Sequence, residues 1–133
     1  MHEFTAVKNI INIILKAARD NNAEKIYSIK IGIGELTMLE KNQIQYWLKL
    51  MLDEIDIAKN SKLNLHIIKG VIRCQECNFK GPLESTMELN HLFPVIKCPE
   101  CESNNIEIIK GDRCLVEEME VDKYNESISG GDN

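Results

Sequence analysis

Cys74-Gln-Glu-Cys77 and Cys98-Pro-Glu-Cys101 form two Cys-x-x-Cys pairs with twenty residues between them. Each pair makes a tight turn that brings two sulfurs within bonding reach of one ion. A hairpin between the pairs then sets them face to face, and four thiolates so placed suit a single tetrahedral metal. Thiolate ligands favour zinc, which imposes no geometry beyond the tetrahedron. An iron site or a pair of redox dithiols are the other uses of this spacing. With Cys74, Cys77, Cys98 and Cys101 all ligating, no position stays open for water or substrate, so the expected role is structural. The segment they enclose holds few large apolar residues, mainly Phe79, Leu83, Leu92, Phe93, Val95 and Ile96. A module of that size needs a staple, and zinc binding at about 10–16 kcal/mol apparent supplies one.

His2 offers a second chemistry. Initiator methionine is generally removed only before a small residue, so Met1 is expected to stay and His2 to be the second residue. The terminal amine, the deprotonated amide of His2 and its imidazole then form fused chelate rings. Such a nitrogen-rich, near-planar set suits Ni(II) or Cu(II) better than zinc or magnesium. The plainer reading is a frayed terminus with an exposed imidazole. No Ser/His/Asp arrangement, phosphate-cradling glycine loop or paired carboxylates stand out, so no enzymatic activity is expected.

The elements that position these residues follow from periodicity. Val7, Ile10, Ile11, Ile14 and Ala18 define an amphipathic helix over about Phe4 to Asp20. Tyr27, Ile29, Ile31 and Ile33 alternate with Ser28, Lys30, Gly32 and Gly34 in a half-buried strand. Ile44, Trp47, Leu48, Met51, Leu52 and Ile55 line a second helix. Leu63, Leu65, Ile67 and Val71 alternate through a strand running into Arg73, Ile106 to Ile109 returns from the cysteine module, and Cys114 to Val121 forms the last strand. The fold class is therefore α+β, two helices packed on a three-stranded sheet with an inserted zinc ribbon. The expected divisions are 1–72 with 112–122 as the α+β domain, 73–111 as the ribbon, and 123–133 as a polar tail that orders nothing.

Composition narrows the function. The chain has 133 residues and a formal net charge of −5, against the basic footprint of a nucleic-acid binder. Within the ribbon, Arg73, Lys80 and Lys97 are outnumbered by Glu76, Glu84, Glu88, Glu100 and Glu102. No apolar run approaches the ~20 residues of a membrane span, and the start lacks the pattern of a signal peptide. Metal-spaced cysteines fit a reducing compartment, so a cytoplasmic location is expected. A monomer and a homodimer are equally compatible with the sequence. Two rival functions use the same cysteines, a zinc-ribbon module in transcription or RNA processing and a dithiol redox protein.

Met1-His2-Glu3, the amphipathic helix, Ile31-Gly32-Ile33-Gly34-Glu35-Leu36 and the two Cys-x-x-Cys pairs occur together and in this order. The combination resembles the HypA/HybF family of hydrogenase nickel-incorporation proteins, from Met1 to about Val121. The resemblance implies a nickel metallochaperone for [NiFe] hydrogenase maturation, with nickel as cargo and a structural zinc on the four cysteines. It implies His2 as nickel ligand, with the Met1 amine and the backbone at Glu3 completing most of the site. The Glu3 side chain is a further candidate, and so is Glu40 at the start of the second helix, a position also explained by the helix dipole. Implied partners are the GTPase HypB and the hydrogenase large subunit, with urease maturation factors in some organisms. The loop between the pairs is long beside many members. Cys114 lies outside the pattern and reads as a buried strand thiol. His91, in that loop, is a minor candidate to replace a thiolate, and His66 reads as a solvated or hydrogen-bonded residue.

Overall fold

A computed structural model of the chain describes residues 3–82 and 97–123. In chain order the elements are helix α1 (Glu3–Asp20), strand β1 (Ala23–Gly34), a 3-10 turn (Glu35–Thr37), helix α2 (Lys41–Leu52), β2 (Lys62–Ile68), β3 (Val71–Cys74), β4 (Lys80–Pro82), β5 (Ile106–Lys110) and β6 (Cys114–Lys123). The strands form two three-stranded sheets, ordered β2-β1-β6 and β4-β3-β5. The fold is α+β, as its sequence pattern implies.

The described residues cluster into two compact units. The first comprises 3–32, 39–66 and 115–123; the second comprises 33–38, 67–82 and 97–114. In the first, α1 buries Ala6, Val7, Ile10, Ile11, Ile14 and Ala18, the apolar stripe its spacing specified. From α2 come Ile44, Leu48 and Leu52, and from β1 come Ile26, Ile29 and Ile31, all nearly inaccessible to solvent. Removing such side chains from water stabilises the unit by roughly 1.5–3 kcal/mol each before the entropy of ordering is subtracted.

Several residues depart from the simple alternation. Tyr27 is half-exposed while Ile26 is fully buried, because the alternation of β1 slips between Ile26 and Ile29. The Ile26 N–H is held by the Ile57 carbonyl at 2.8 Å, which pins the inward orientation. Helix α2 ends at Leu52, so Ile55 lies in the turns that follow. Asp53 terminates it by accepting the Asn60 N–H, and that bond holds its carboxyl below the usual range. The strand expected from Leu63 through Arg73 is two strands, β2 and β3, belonging to different sheets. The change of sheet at Lys69-Gly70 resets the alternation, so Ile67 is exposed and Ile72 is buried. Leu115 likewise faces solvent, since the half-buried positions of β6 are Cys114 and Val116 and then, after a slip at Glu117-Glu118, Met119 and Val121.

In the second unit, β3 pairs antiparallel with both β4 and β5, with Arg73 opposite Lys80 on one side and Glu107 on the other. The 3-10 turn is tied to the strands that root this sheet. Gly34 N–H donates to the Arg113 carbonyl at 3.0 Å, Leu36 N–H to the Gly111 carbonyl at 2.8 Å, and Gly70 N–H to the Glu35 carboxylate at 2.7 Å. Such close backbone approach needs glycine: a Cβ on Gly34 would lie 2.5 Å from the Gly111 oxygen. Gly111 also adopts φ +93°, and a Cβ there would lie 2.6 Å from Gly70 Cα.

Candidate metal centre

Both cysteine pairs sit in the second unit on matching turns. Cys74 closes β3, and its N–H donates to the Phe79 carbonyl at 2.8 Å. Cys98 donates to the Ser103 carbonyl at 3.0 Å. In each turn the residue after the second cysteine takes a left-handed conformation, Asn78 at φ 68° and Glu102 at φ 63°. Asparagine tolerates that region better than most residues, whereas glutamate there is held by its N–H bond to the Cys98 carbonyl. A further bond, Gln75 N–H to the Asn105 carbonyl at 2.9 Å, ties the first turn to the segment after the second.

The four sulfurs converge, all within 4.8 Å of one another. Cys74 and Cys101 Sγ are 3.6 Å apart, and Cys77 and Cys98 Sγ are 3.5 Å apart. A tetrahedron with Zn–S of about 2.3 Å has edges of about 3.8 Å, so the donor set is sized for one such ion. Backbone N–H groups point at the inner sulfurs: Glu76 at Cys74, and Glu100 and Cys101 at Cys98, over 3.3–3.5 Å. Cys74 and Cys98 are buried, while Cys101 is exposed.

Electrostatics agree with a cation at the centre. Burial works to raise Cys98, but the N–H groups of Cys101 and Glu100 and the Cys77 thiol outweigh it and bring the pKa down to about 7. The Phe79 N–H favours the thiolate of Cys77, yet the adjacent Cys98, burial and the remaining thiols push it up to about 12. Cys101 is raised as well. Four thiols this close cannot all ionise without a positive ion among them. Cys114 stays outside the cluster, half-buried in β6, with its thiol raised by burial.

The residues of the other expected site are differently placed. Met1 and His2 lie outside the described residues, as does His91. Glu3 opens α1 and is partly exposed. Glu40 is the N-cap of α2, its two carboxylate oxygens accepting from Gln43 N–H at 3.0 Å and Asn42 N–H at 3.3 Å. His66 Nε2 makes a 2.6 Å contact with Glu117, a hydrogen-bonded and not a ligating arrangement. The sequence reading missed an aromatic contact beside the start of α1. Phe4 meets Trp47 edge-on at 6.3 Å, and Trp47 meets Tyr46 at 5.2 Å. The positions 4, 46 and 47 carried no periodic signal linking them, because the contact joins two helices.

A family model described as hydrogenase/urease nickel incorporation, metallochaperone, matches residues 1–121. The chain belongs to the HypA family. The hydrogenase maturation factor HypA of Methanothermobacter thermautotrophicus is 33% identical over 123 residues, spanning 92% of this chain and 98% of that one. That of Methanopyrus kandleri is 27% identical over 143 residues, spanning 98% of this chain and all of its own. The fold is similar to the solution structure of the Ni metallochaperone HypA from Helicobacter pylori, with a TM-score of 0.69 and 24% identity over 93% of this chain and all of that one. The family is one of nickel incorporation and metallochaperones, and the four-cysteine cluster is compatible with zinc binding. Among the described residues, no helix is long and apolar enough to cross a membrane.

Proposed function

We propose that this protein carries Ni(II) on its N-terminal residues and helps insert it into the [NiFe] hydrogenase active site, with zinc held structurally by Cys74, Cys77, Cys98 and Cys101. The observation that carries the reading is the family match over residues 1–121, a span that contains Met1-His2-Glu3 and both cysteine pairs. The Met1 amine, the His2 amide and imidazole and the backbone at Glu3 supply the nickel donors, with the Glu3 carboxylate as a further donor or a contact for a partner. Glu40 has a sufficient role as cap of α2, and its carboxylate is assigned to that role.

Nickel competes poorly against copper and zinc by affinity alone, so delivery relies on geometry and docking. A site with few ligands, at least one of which must lose a proton to bind, releases its ion when a partner or acid disturbs it. The zinc, with every position filled by thiolate, supplies folding energy and leaves the chemistry to the other end of the chain. The partners proposed are the GTPase HypB and the hydrogenase large subunit, in the cytoplasm, with urease maturation factors as a further recipient. His2→Ala tests the assignment. The variant is expected to lose nickel binding while keeping one zinc and the wild-type circular dichroism spectrum; tight nickel binding by His2→Ala would remove the basis of the reading.

A further inference from the structure

Strand β6 is an open edge: among the described residues its one strand neighbour is β1. An edge strand presents unpaired N–H and C=O groups that an incoming strand can complete. Toward α1, Val116, Met119 and Val121 join Ile13, Ala17 and Asn21 in lining a groove of about 360 Å³, whose lining also includes Glu117 and Glu118. Ile13 is 49% exposed there, so α1 leaves the groove uncovered. Glu117, Glu118, Glu120 and Asp122 run along the same edge, all exposed, and Glu118 and Glu120 also line the outer face of the sheet.

These acids are only partly engaged. Glu120 contacts Ser28 at 3.1 Å and Asp122 contacts Tyr27 at 3.4 Å, both neutral groups on β1, and Glu117 holds His66. Lys30 and Lys62 share the outer sheet face with Glu118 and Glu120, but neither lysine forms an ion pair among the described residues. The edge therefore carries a row of exposed acids, four on β6 against Lys30 and Lys62 on the neighbouring strands, beside a mainly apolar groove.

We infer that the β6 edge is a docking site for an extended segment of another protein in which apolar residues alternate with Lys or Arg. Side chains of a strand point alternately to its two sides. An added strand in this register sends its apolar residues into the α1–β6 groove and sets its cations beside the acidic row, where opposite charges stabilise the pairing. A second copy of this chain is the poorer occupant. Antiparallel pairing of β6 with itself about its centre sets Glu118 against Glu120 or Glu117 against Glu120, and like charges directly opposite are destabilising.

The test titrates an alternating Lys-Val octapeptide into the full-length protein at low and physiological salt. Beside it run a Glu-Val octapeptide and a Lys-Pro octapeptide, the latter of equal charge but unable to complete a strand ladder. The expected result is binding of the Lys-Val peptide alone, with amide shifts and slowed exchange at 115–122, weakening as salt rises. Glu118→Lys, at an exposed position, is expected to weaken it about fivefold. Equal binding of the Lys-Pro peptide would reduce the edge to a diffuse charge and overturn the inference. So would the absence of Lys-Val binding, or shifts confined to other elements. Concentration-dependent self-association with protection at β6 would assign the edge to a second copy and overturn it as well.

Discussion

Gly34→Ala is the substitution whose consequence the backbone dictates most directly. The new Cβ would lie 2.5 Å from the Gly111 oxygen and 2.6 Å from the Arg113 oxygen. Real Cβ contacts do not go below 3.0 Å, so the end of β1 and the β5–β6 connection must part by at least the difference, 3.0 − 2.5 = 0.5 Å. Those same carbonyls accept the Leu36 and Gly34 N–H groups, so that separation stretches two hydrogen bonds worth about 0.5–1.5 kcal/mol each. Overpacking in such settings costs about 1–3 kcal/mol, and replacing glycine in a strand returns about 0.5–1. The net expectation is a loss of about 2–3 kcal/mol, or about 10 °C in Tm. Gly81→Ala is the matched control. Its Cβ would meet the outer rim of the Phe79 ring at 2.8 Å, a side chain that can swing aside, and the cost is expected to stay under about 1 kcal/mol. Calorimetry of both zinc-loaded variants decides the matter. A Gly34→Ala protein as stable as wild type would show that the three glycine-lined segments do not hold the approach described.

Other consequences follow from the two metal readings and the helix cap. Glu40→Ala removes the acceptor for two α2 N–H groups and should cost about 1 kcal/mol, whereas Glu40→Asn should restore most of it. Nickel stoichiometry should be unchanged in Glu40→Asn, and a loss there would place the carboxylate on the metal. Cys98→Ser should release zinc and melt the second unit, read as lost amide protection at β3 and β5. Zinc loading at pH 7 should liberate about three to four protons per ion in unbuffered titration, since the cluster around Cys77, pushed up to about 12, holds its protons until the cation arrives. Release of one proton or fewer would contradict four-thiolate ligation.

Much of this architecture is written in the residues themselves. The α1 stripe of Val7, Ile10, Ile11 and Ile14 is buried as its 3.6-residue period requires. The cysteine turns converge because Cys-x-x-Cys spacing leaves the backbone little choice. What the pattern hid were places where non-local contacts override period. Ile26 turned inward because a carbonyl at Ile57 was waiting for its N–H, and Ile67 turned outward because the chain changes sheet three residues later. At the start of β6 Cys114 and Val116 turn inward in place of Leu115, while Met119 and Val121 stay inward, a slip that apolarity cannot signal when Leu115 and Val116 are both apolar. For the metals, the cysteines announced a site through side-chain type and spacing, whereas the chelate proposed at Met1-His2 shows one side chain, the His2 imidazole, and draws its other donors from the backbone.

The central claim is nickel binding through the chain's first amine, and one titration tests it without altering any side chain. Zinc-loaded, tag-free protein is titrated with Ni(II) alongside the same protein carrying one added residue before Met1. The extension displaces the amine from the chelate and leaves His2, Glu3 and the cysteines as they were. One nickel bound by the native chain and lost from the extended one is the result expected. Equal binding by both would contradict the account and move the nickel to other donors.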